Sequence, residues 1–450
     1  MCLEDPETCL TVGGRYSTLP ESVIKGMSMR RILAVFVMLC AAAPAVLAQT
    51  DIFLKTERAG RGKVPIVVAD IEAASPRERG SAATITSVIR NDLGFSGLFQ
   101  TLNPGGDGAA GDGRSAGARF EGTLTAKGGA FSLEAKLLDL ASKEAIFSKR
   151  YEFGADATRL VAHRLSDEIV YFLIGERGVA TTRILFRRTQ GAYKNLFLVD
   201  YDGHGERQIT KNDLVISPLW LDGARFCYTS DRRQNWDCYL VDLSNGTKYL
   251  MTHWSGINIA GSYFAPRDEL LMTLSVNGNH EIYVLNSSGK ILRRLTRNRA
   301  IDISPTWSPN GSEIAFVSDR GGTPQIYIMD GYGGGVRRLT GNGSYNQSPA
   351  WSPRGDLIAY ASREGNLFRL KLISPDGLDE ETLTDDNLSY EDPCWAPDGR
   401  HIAATVAEGG AHYVVVIDID TKERRRLAQG ESADWSPLAV ERTVTPARRK

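Results

Sequence analysis

The chain lacks most of the features that announce a specific chemistry. It has six cysteines in 450 residues and no Cys-x-x-Cys pair, which removes the zinc and redox motifs built on that spacing. Its six histidines, His163, His204, His253, His280, His401 and His412, are not spaced as metal pairs and read as surface or structural residues. Lys and Arg total 53 against 54 Asp and Glu, so charge makes no case for nucleic acid or an acidic substrate. The apolar run Ile32–Leu39 is too short to span a membrane.

What the chain does have is a repeat. Six anchor aromatics, Trp220, Phe264, Trp307, Trp351, Trp395 and Trp435, follow one another at 44, 43, 44, 44 and 40 residues. The clearest copy runs from Ile303 to Thr340. It reads as four strands, Pro305–Ser308, Glu313–Ser318, Gln325–Asp330 and Val336–Thr340, with Pro309-Asn310-Gly311 as a tight turn. A repeat of about 40–45 residues holding four strands is the signature of a β-propeller blade. The last copy stops soon after Trp435. Its missing strands are expected at Arg183–Phe186, Asn195–Asp200 and Gln208–Thr210, so strands from both ends of the array would close the ring. Six anchors imply six blades over about 183–440, followed by a tail at 441–450. No hydrolase domain carrying a nucleophile elbow follows the last blade, as a propeller peptidase would require.

The N-terminal part has a different texture. Residues 1–26 precede a better start signal at Met27. Arg30 and Arg31, the Ile32–Leu39 core and Val46-Leu47-Ala48 then read as a secretory signal peptide, so that residues 1–48 leave and Gln49 begins the mature chain. Residues 49–61 form an N-terminal arm. Residues 62–178 read as a small α/β domain with a strand at Val64–Ala69, a helix at Ala82–Leu93, three strands between Phe120 and Phe153, and a helix at Thr158–Glu176. The glycine-rich stretch Pro104–Gly117 reads as a loop, because no Lys-Ser/Thr and no helix follow it as a phosphate cradle would need. The expected class is therefore multidomain α/β plus all-β, an α/β domain followed by a six-bladed β-propeller.

Cys227 and Cys238 lie on consecutive strands of one blade. With Thr229 opposite Cys238 they are diagonal neighbours, which favours a reduced, core-filling pair over a disulfide. Polar residues gather just before the innermost strands: Asn258, Asp302, Asn346, Gln347, Glu391, Asp392 and Asp434. Convergent segments on a rigid scaffold suit a binding surface at one channel mouth. Acids there also suit a cation such as Ca²⁺, although no cofactor is required.

Signal peptide, small α/β domain and Trp-Ser-Pro-Asn-Gly-type blades (Trp307–Gly311) together resemble the TolB family of the Tol-Pal system. The resemblance covers Val46 to Pro437. It implies a non-enzymatic periplasmic protein between inner-membrane TolA and the outer-membrane lipoprotein Pal, with a role in cell division, envelope integrity and protein transport. It implies TolA binding by the arm, here Gln49, Thr50, Asp51, Ile52, Phe53 and Leu54. It implies Pal contacts at Asn258, Gly261 and Ile303, beside the polar residues of the mouth. Two other classes remain open: a propeller scaffold for another envelope ligand, and a hydrolase or lyase with its site in the channel.

Overall fold

The computed structural model describes residues 62–73, 75–102, 116–127 and 129–438. The leader and arm expectations, Gln49–Leu54 included, lie outside these residues, as do the tail and most of the glycine-rich loop.

The α/β domain begins with β1 (Val64–Val68), β2 (Glu72–Ala73), α1 (Pro76–Phe95) and β3 (Phe99–Leu102). It continues with β4 (Ala118–Lys127), β5 (Ala130–Asp139), β6 (Ala145–Phe153) and α2 (Thr158–Ile174). The sheet order is β3-β1-β4-β5-β6, with β2 on β4. The strand β1 is parallel to β3 and β4, and the rest of that path is antiparallel. α1 starts earlier than the apolar periodicity suggests. Ser75 Oγ accepts from the Glu78 amide while Glu78 Oε2 accepts from the Ser75 amide, a capping box that sets the first turn at Pro76. Ile85, Val88, Ile89 and Leu93 of α1 then bury against Leu165 and Ile169 of α2 and the inward face of the sheet, including Phe120 and Leu133. α2 stops at Gly175, whose φ of 82° is the left-handed cap that glycine adopts without strain.

Six four-stranded antiparallel sheets follow. Five take their strands in chain order. The sixth combines Glu431–Trp435 with β7 (Arg183–Gln190), β8 (Tyr193–Asp200) and β9 (Arg207–Gln208). Trp435 pairs with Ile184 and Asp434 with Leu185. Hydrogen bonds from the Ser436 amide to the Arg183 carbonyl (2.8 Å) and from the Arg183 amide to Ser436 Oγ (2.9 Å) extend the seam.

Each blade's apolar faces meet the next blade rather than water. Leu271, Ile282 and Val284 of one sheet pack on Trp307, Ile314 and Phe316 of the following one. The fourth strands are short for a local reason. A threonine at the end of each of several blades turns its hydroxyl back to the third strand, as Thr210 to Leu196 N, Thr296 to Ile282 N, Thr340 to Ile326 N and Thr384 to Leu370 N. The side chain takes the place of the next ladder bond, and the strand ends. Cys227 and Cys238 are buried free thiols, with Thr229 opposite Cys238 and Leu240 opposite Cys227.

Trp435 seals the closing blade. It is 5 % exposed, packs with Phe186, Val199, Ala396 and Val414, and donates from Nε1 to Thr182 Oγ1 at 2.7 Å. Trp435→Ala is expected to lower the propeller's unfolding free energy by about 3–5 kcal/mol, the usual cost of emptying a large aromatic site. Urea unfolding followed by fluorescence measures it; a loss below about 1 kcal/mol would mean that the last strand is not part of the cooperative core.

Candidate functional site

The inner strands converge on a central channel of about 480 Å³. They are Val215–Trp220, Asn258–Phe264, Asp302–Trp307, Asn346–Trp351, Ser389–Trp395 and Glu431–Trp435. Every one carries a register break against its neighbour. At five of the breaks a non-glycine residue is left-handed: Ser217, Ser304, Ser348, Asp392 and Ser432, with φ between 46° and 52°. These are β-bulges, one per blade, and they turn short polar side chains toward the axis. In the remaining strand Gly261 occupies the break. A Cβ there would lie 2.4 Å from the Pro305 carbonyl, so the next blade packs directly on its backbone.

The α/β domain meets the face where inner strands end, through contacts such as Glu176 with Arg354 (3.0 Å). The opposite mouth, where inner strands begin, holds the expected site residues, and the structure divides them. Asn258, Asp302 and Asn346 are 0 % exposed, so they do not present side chains to a partner. The inner strands start earlier than the sequence suggests, which puts these three inside the blade. Asn258 Nδ2 donates to the carbonyls of Trp236 (2.9 Å) and Trp254 (2.7 Å). Asp302 accepts from Arg320 at 3.0 Å and from Asn298 Nδ2 at 2.6 Å. Asn346 Nδ2 donates to Gln325 Oε1 at 2.7 Å and the Asn342 carbonyl at 2.8 Å. All three clamp the connection from the preceding blade.

Gly261, Ile303, Gln347, Glu391 and Asp392 are partly exposed at the mouth. Gln347 Nε2 donates to Glu391 Oε2 at 3.1 Å. Asp392 joins three blades, accepting from Ser348 Oγ (3.0 Å) on one oxygen and Ser432 Oγ (2.7 Å) on the other. Burial, reinforced by the charge of Asp392, raises the Glu391 carboxyl. Glu431 goes the other way. Burial opposes its charge, but Lys194 at 2.9 Å and Arg187 at 3.4 Å outweigh it and hold the carboxyl low. The mouth thus holds one desolvated acid beside one fully paired acid.

No acid–base constellation suited to catalysis is evident among the described residues of the channel. The letters G-x-S-x-G do occur once, at Gly113–Gly117, but β4 follows them where a nucleophile elbow would need a helix. Of the histidines read as surface or structural, His163 and His401 are structural, and both are buried. The partners that tie them across the fold, Asp92 for His163 and the Phe95 carbonyl for His401, lie 71 and 306 residues away.

Asp434 is pushed up to about 7 by burial, against one opposing bond from the Trp220 amide (2.6 Å). The unfolded carboxyl ionises near 3.8, so between about pH 4 and 7 the folded chain holds the extra proton and stability falls as pH rises. Asp434→Asn keeps the acceptor and removes the titration. It is expected to be more stable than the parent at pH 8 by about 4 kcal/mol, with little gain at pH 4. Urea unfolding at both values checks this, and an equal effect at both would contradict it.

Comparison with known proteins gives this architecture its family. Residues 171–439 match the TolB beta propeller domain and residues 54–146 the TolB amino-terminal domain. The chain is 33 % identical over 292 residues to the Tol-Pal system protein TolB of Desulfosudis oleivorans, covering 60 % of this chain and 66 % of that one. It is 32 % identical over 274 residues to the TolB homolog of Chlorobium chlorochromatii, covering 58 % and 62 % respectively. The chain therefore matches just under two thirds of the length of these relatives. The crystal structure of TolB from Acinetobacter baumannii aligns with a TM-score of 0.72 at 26 % identity, covering 84 % of this chain and 97 % of that one. With the propeller match alone taking in more than half of its length, and the amino-terminal domain ahead of it, the chain belongs to the TolB family of the Tol-Pal system.

Proposed function

We propose that the chain is a periplasmic interaction protein without enzymatic activity, linking inner-membrane TolA to the outer-membrane lipoprotein Pal. Its role is then to support outer-membrane constriction during cell division and envelope integrity. The observation that carries this reading is the match to both family domains, in order. Among the described residues no helix is long and apolar enough to cross a membrane. Pal is assigned to the mouth facing away from the α/β domain, at Gly261, Ile303, Gln347, Glu391 and Asp392. TolA is assigned to the arm, Gln49 to about Arg61.

The mouth supports a docking role physically. Its backbone is fixed by the bulges and by the buried clamps of Asn258, Asp302 and Asn346, so little ordering cost falls on binding. Glu391 is poorly solvated and makes one hydrogen bond to Gln347, so a donor from a partner would relieve it. A Ca²⁺ ion at the mouth is supported less well, because both oxygens of Asp392 already accept serine hydroxyls.

A pull-down from envelope extract with the tagged mature chain is expected to recover Pal and TolA together; recovery of neither contradicts the reading. Glu391→Lys is expected to weaken Pal capture about tenfold with unfolding unchanged. Unaltered affinity would remove this face from the assignment. Deleting Gln49–Thr56 is expected to abolish TolA capture while Pal still binds, and retained TolA binding would contradict the role given to the arm.

A further inference from the structure

A buried ring of opposite charges lies in the seam between the α/β domain and the propeller. His163, on α2, is 4 % exposed. Its Nδ1 lies 2.8 Å from Asp92 Oδ2 on α1, whose other carboxylate oxygen accepts the hydroxyl of Tyr201 from the propeller. Its Nε2 lies 3.9 Å from Asp202 Oδ2, also on the propeller and also bonded by Arg159. Asp92, His163 and Asp202 present atoms within 4.8 Å of one another. They do not read as a metal site, because the Arg159 guanidinium stands 3.5 Å from Nε2 and already supplies positive charge there.

A second contact holds the same seam. His401, from the fifth blade, has Nδ1 at 2.6 Å from Asp398 Oδ2 and Nε2 at 3.1 Å from the Phe95 carbonyl at the end of α1. Its ring stacks on Phe95 at 4.5 Å, and the Phe95 ring meets Tyr201 edge-on at 5.0 Å. Phe95 and Tyr201 thus connect the two histidines.

We propose that His163 is a pH-responsive latch between the two domains. As the imidazolium it stands between a carboxylate of the α/β domain and a carboxylate of the propeller. As the neutral ring it leaves Asp92 and Asp202 facing each other as like charges across the seam, with Asp200 of the propeller adding to them. Arg159 stays paired with Asp202, so the neutral state loosens the docking without separating the domains.

The sign follows from the groups around the ring. Burial favours the neutral form, but the hydrogen bond and charge of Asp92, together with Asp202, outweigh burial and the opposing Arg159, and raise His163 above its ordinary value. A raised histidine gives its full stabilisation below its unfolded value of about 6.5 and loses it as pH rises through the folded value. Docking is therefore tight in mild acid and looser in alkali. Nearby Asp167 on α2 is pushed up to about 6 by burial, so its titration overlaps only the acid edge of this window. The latch does not depend on which partners bind the mouth or the arm.

Hydrogen exchange of the full-length chain between pH 6.5 and 9, corrected for intrinsic rates, tests it. Protection in residues 91–97 and 199–204 is expected to fall about tenfold for each unit by which His163 is raised. His163→Gln keeps a donor but not the charge, and Asp202→Asn removes the like-charge pair; both are expected to flatten the profile. A flat wild-type profile, or an unchanged one in Asp202→Asn, would overturn the proposal. Should His163→Gln fail to fold, imidazole NMR of the wild-type chain decides. A His163 midpoint that does not coincide with the loss of protection would also overturn it.

Discussion

A single four-stranded sheet has two apolar faces and no means of covering either, and the rest of this structure follows from that constraint. Each blade buries its faces against the blades on both sides, as Ile282 and Val284 do against Trp307 and Phe316. A row of such sheets would leave two bare faces at its ends. Here the final strand, Glu431–Trp435, pairs with β7 from the beginning of the array, so the covering continues around the ring. The closing blade is also where the chain enters the propeller. Asp167 of α2 fixes that entry by accepting from the Ala180 and Thr181 amides at 2.7 and 3.0 Å. Closure and the placement of the α/β domain are thus set by the same few residues.

The channel mouth is shaped by backbone strain as much as by side chains. Five non-glycine residues sit in the left-handed region, where each costs energy that only a rigid surround can hold. The surround consists of buried polar clamps at the starts of the inner strands and tight inter-blade packing at Gly261. The result is a rim whose acids are either fully paired, as Glu431, or held poorly solvated, as Glu391. A rim of this kind offers fixed polar geometry to a partner without needing to rearrange.

Much of this was legible in the sequence because it repeats. The 44-residue spacing of the anchor aromatics carries the blade number, and the turn residues Pro309, Asn310 and Gly311 carry a strand boundary. The bulges were not legible: a Ser-Pro pair reads as the start of a strand, whereas the ladder runs through it and breaks there. For that reason Asn258, Asp302 and Asn346 read as loop residues at a surface, and they are buried clamps instead. The seam histidines left no signal either. His163 meets Asp92 across 71 residues and His401 meets Phe95 across 306, so only the folded chain brings them together. Asp398 sits in the turn before His401, where it accepts from the Arg400 and His401 amides, and the same carboxylate also holds the His401 ring.

The most direct test concerns the seam between β7 and the last strand. Native-state hydrogen exchange of the amides of Leu185 and Arg187 on β7, and of Ser436, which donates to the Arg183 carbonyl, separates a paired strand from a free edge. Protection equal to that of the other inner-strand ladders, lost only with global unfolding, is the result the closed ring requires. Exchange in these amides at the rate of an exposed edge, while the other five blades stay protected, would contradict it.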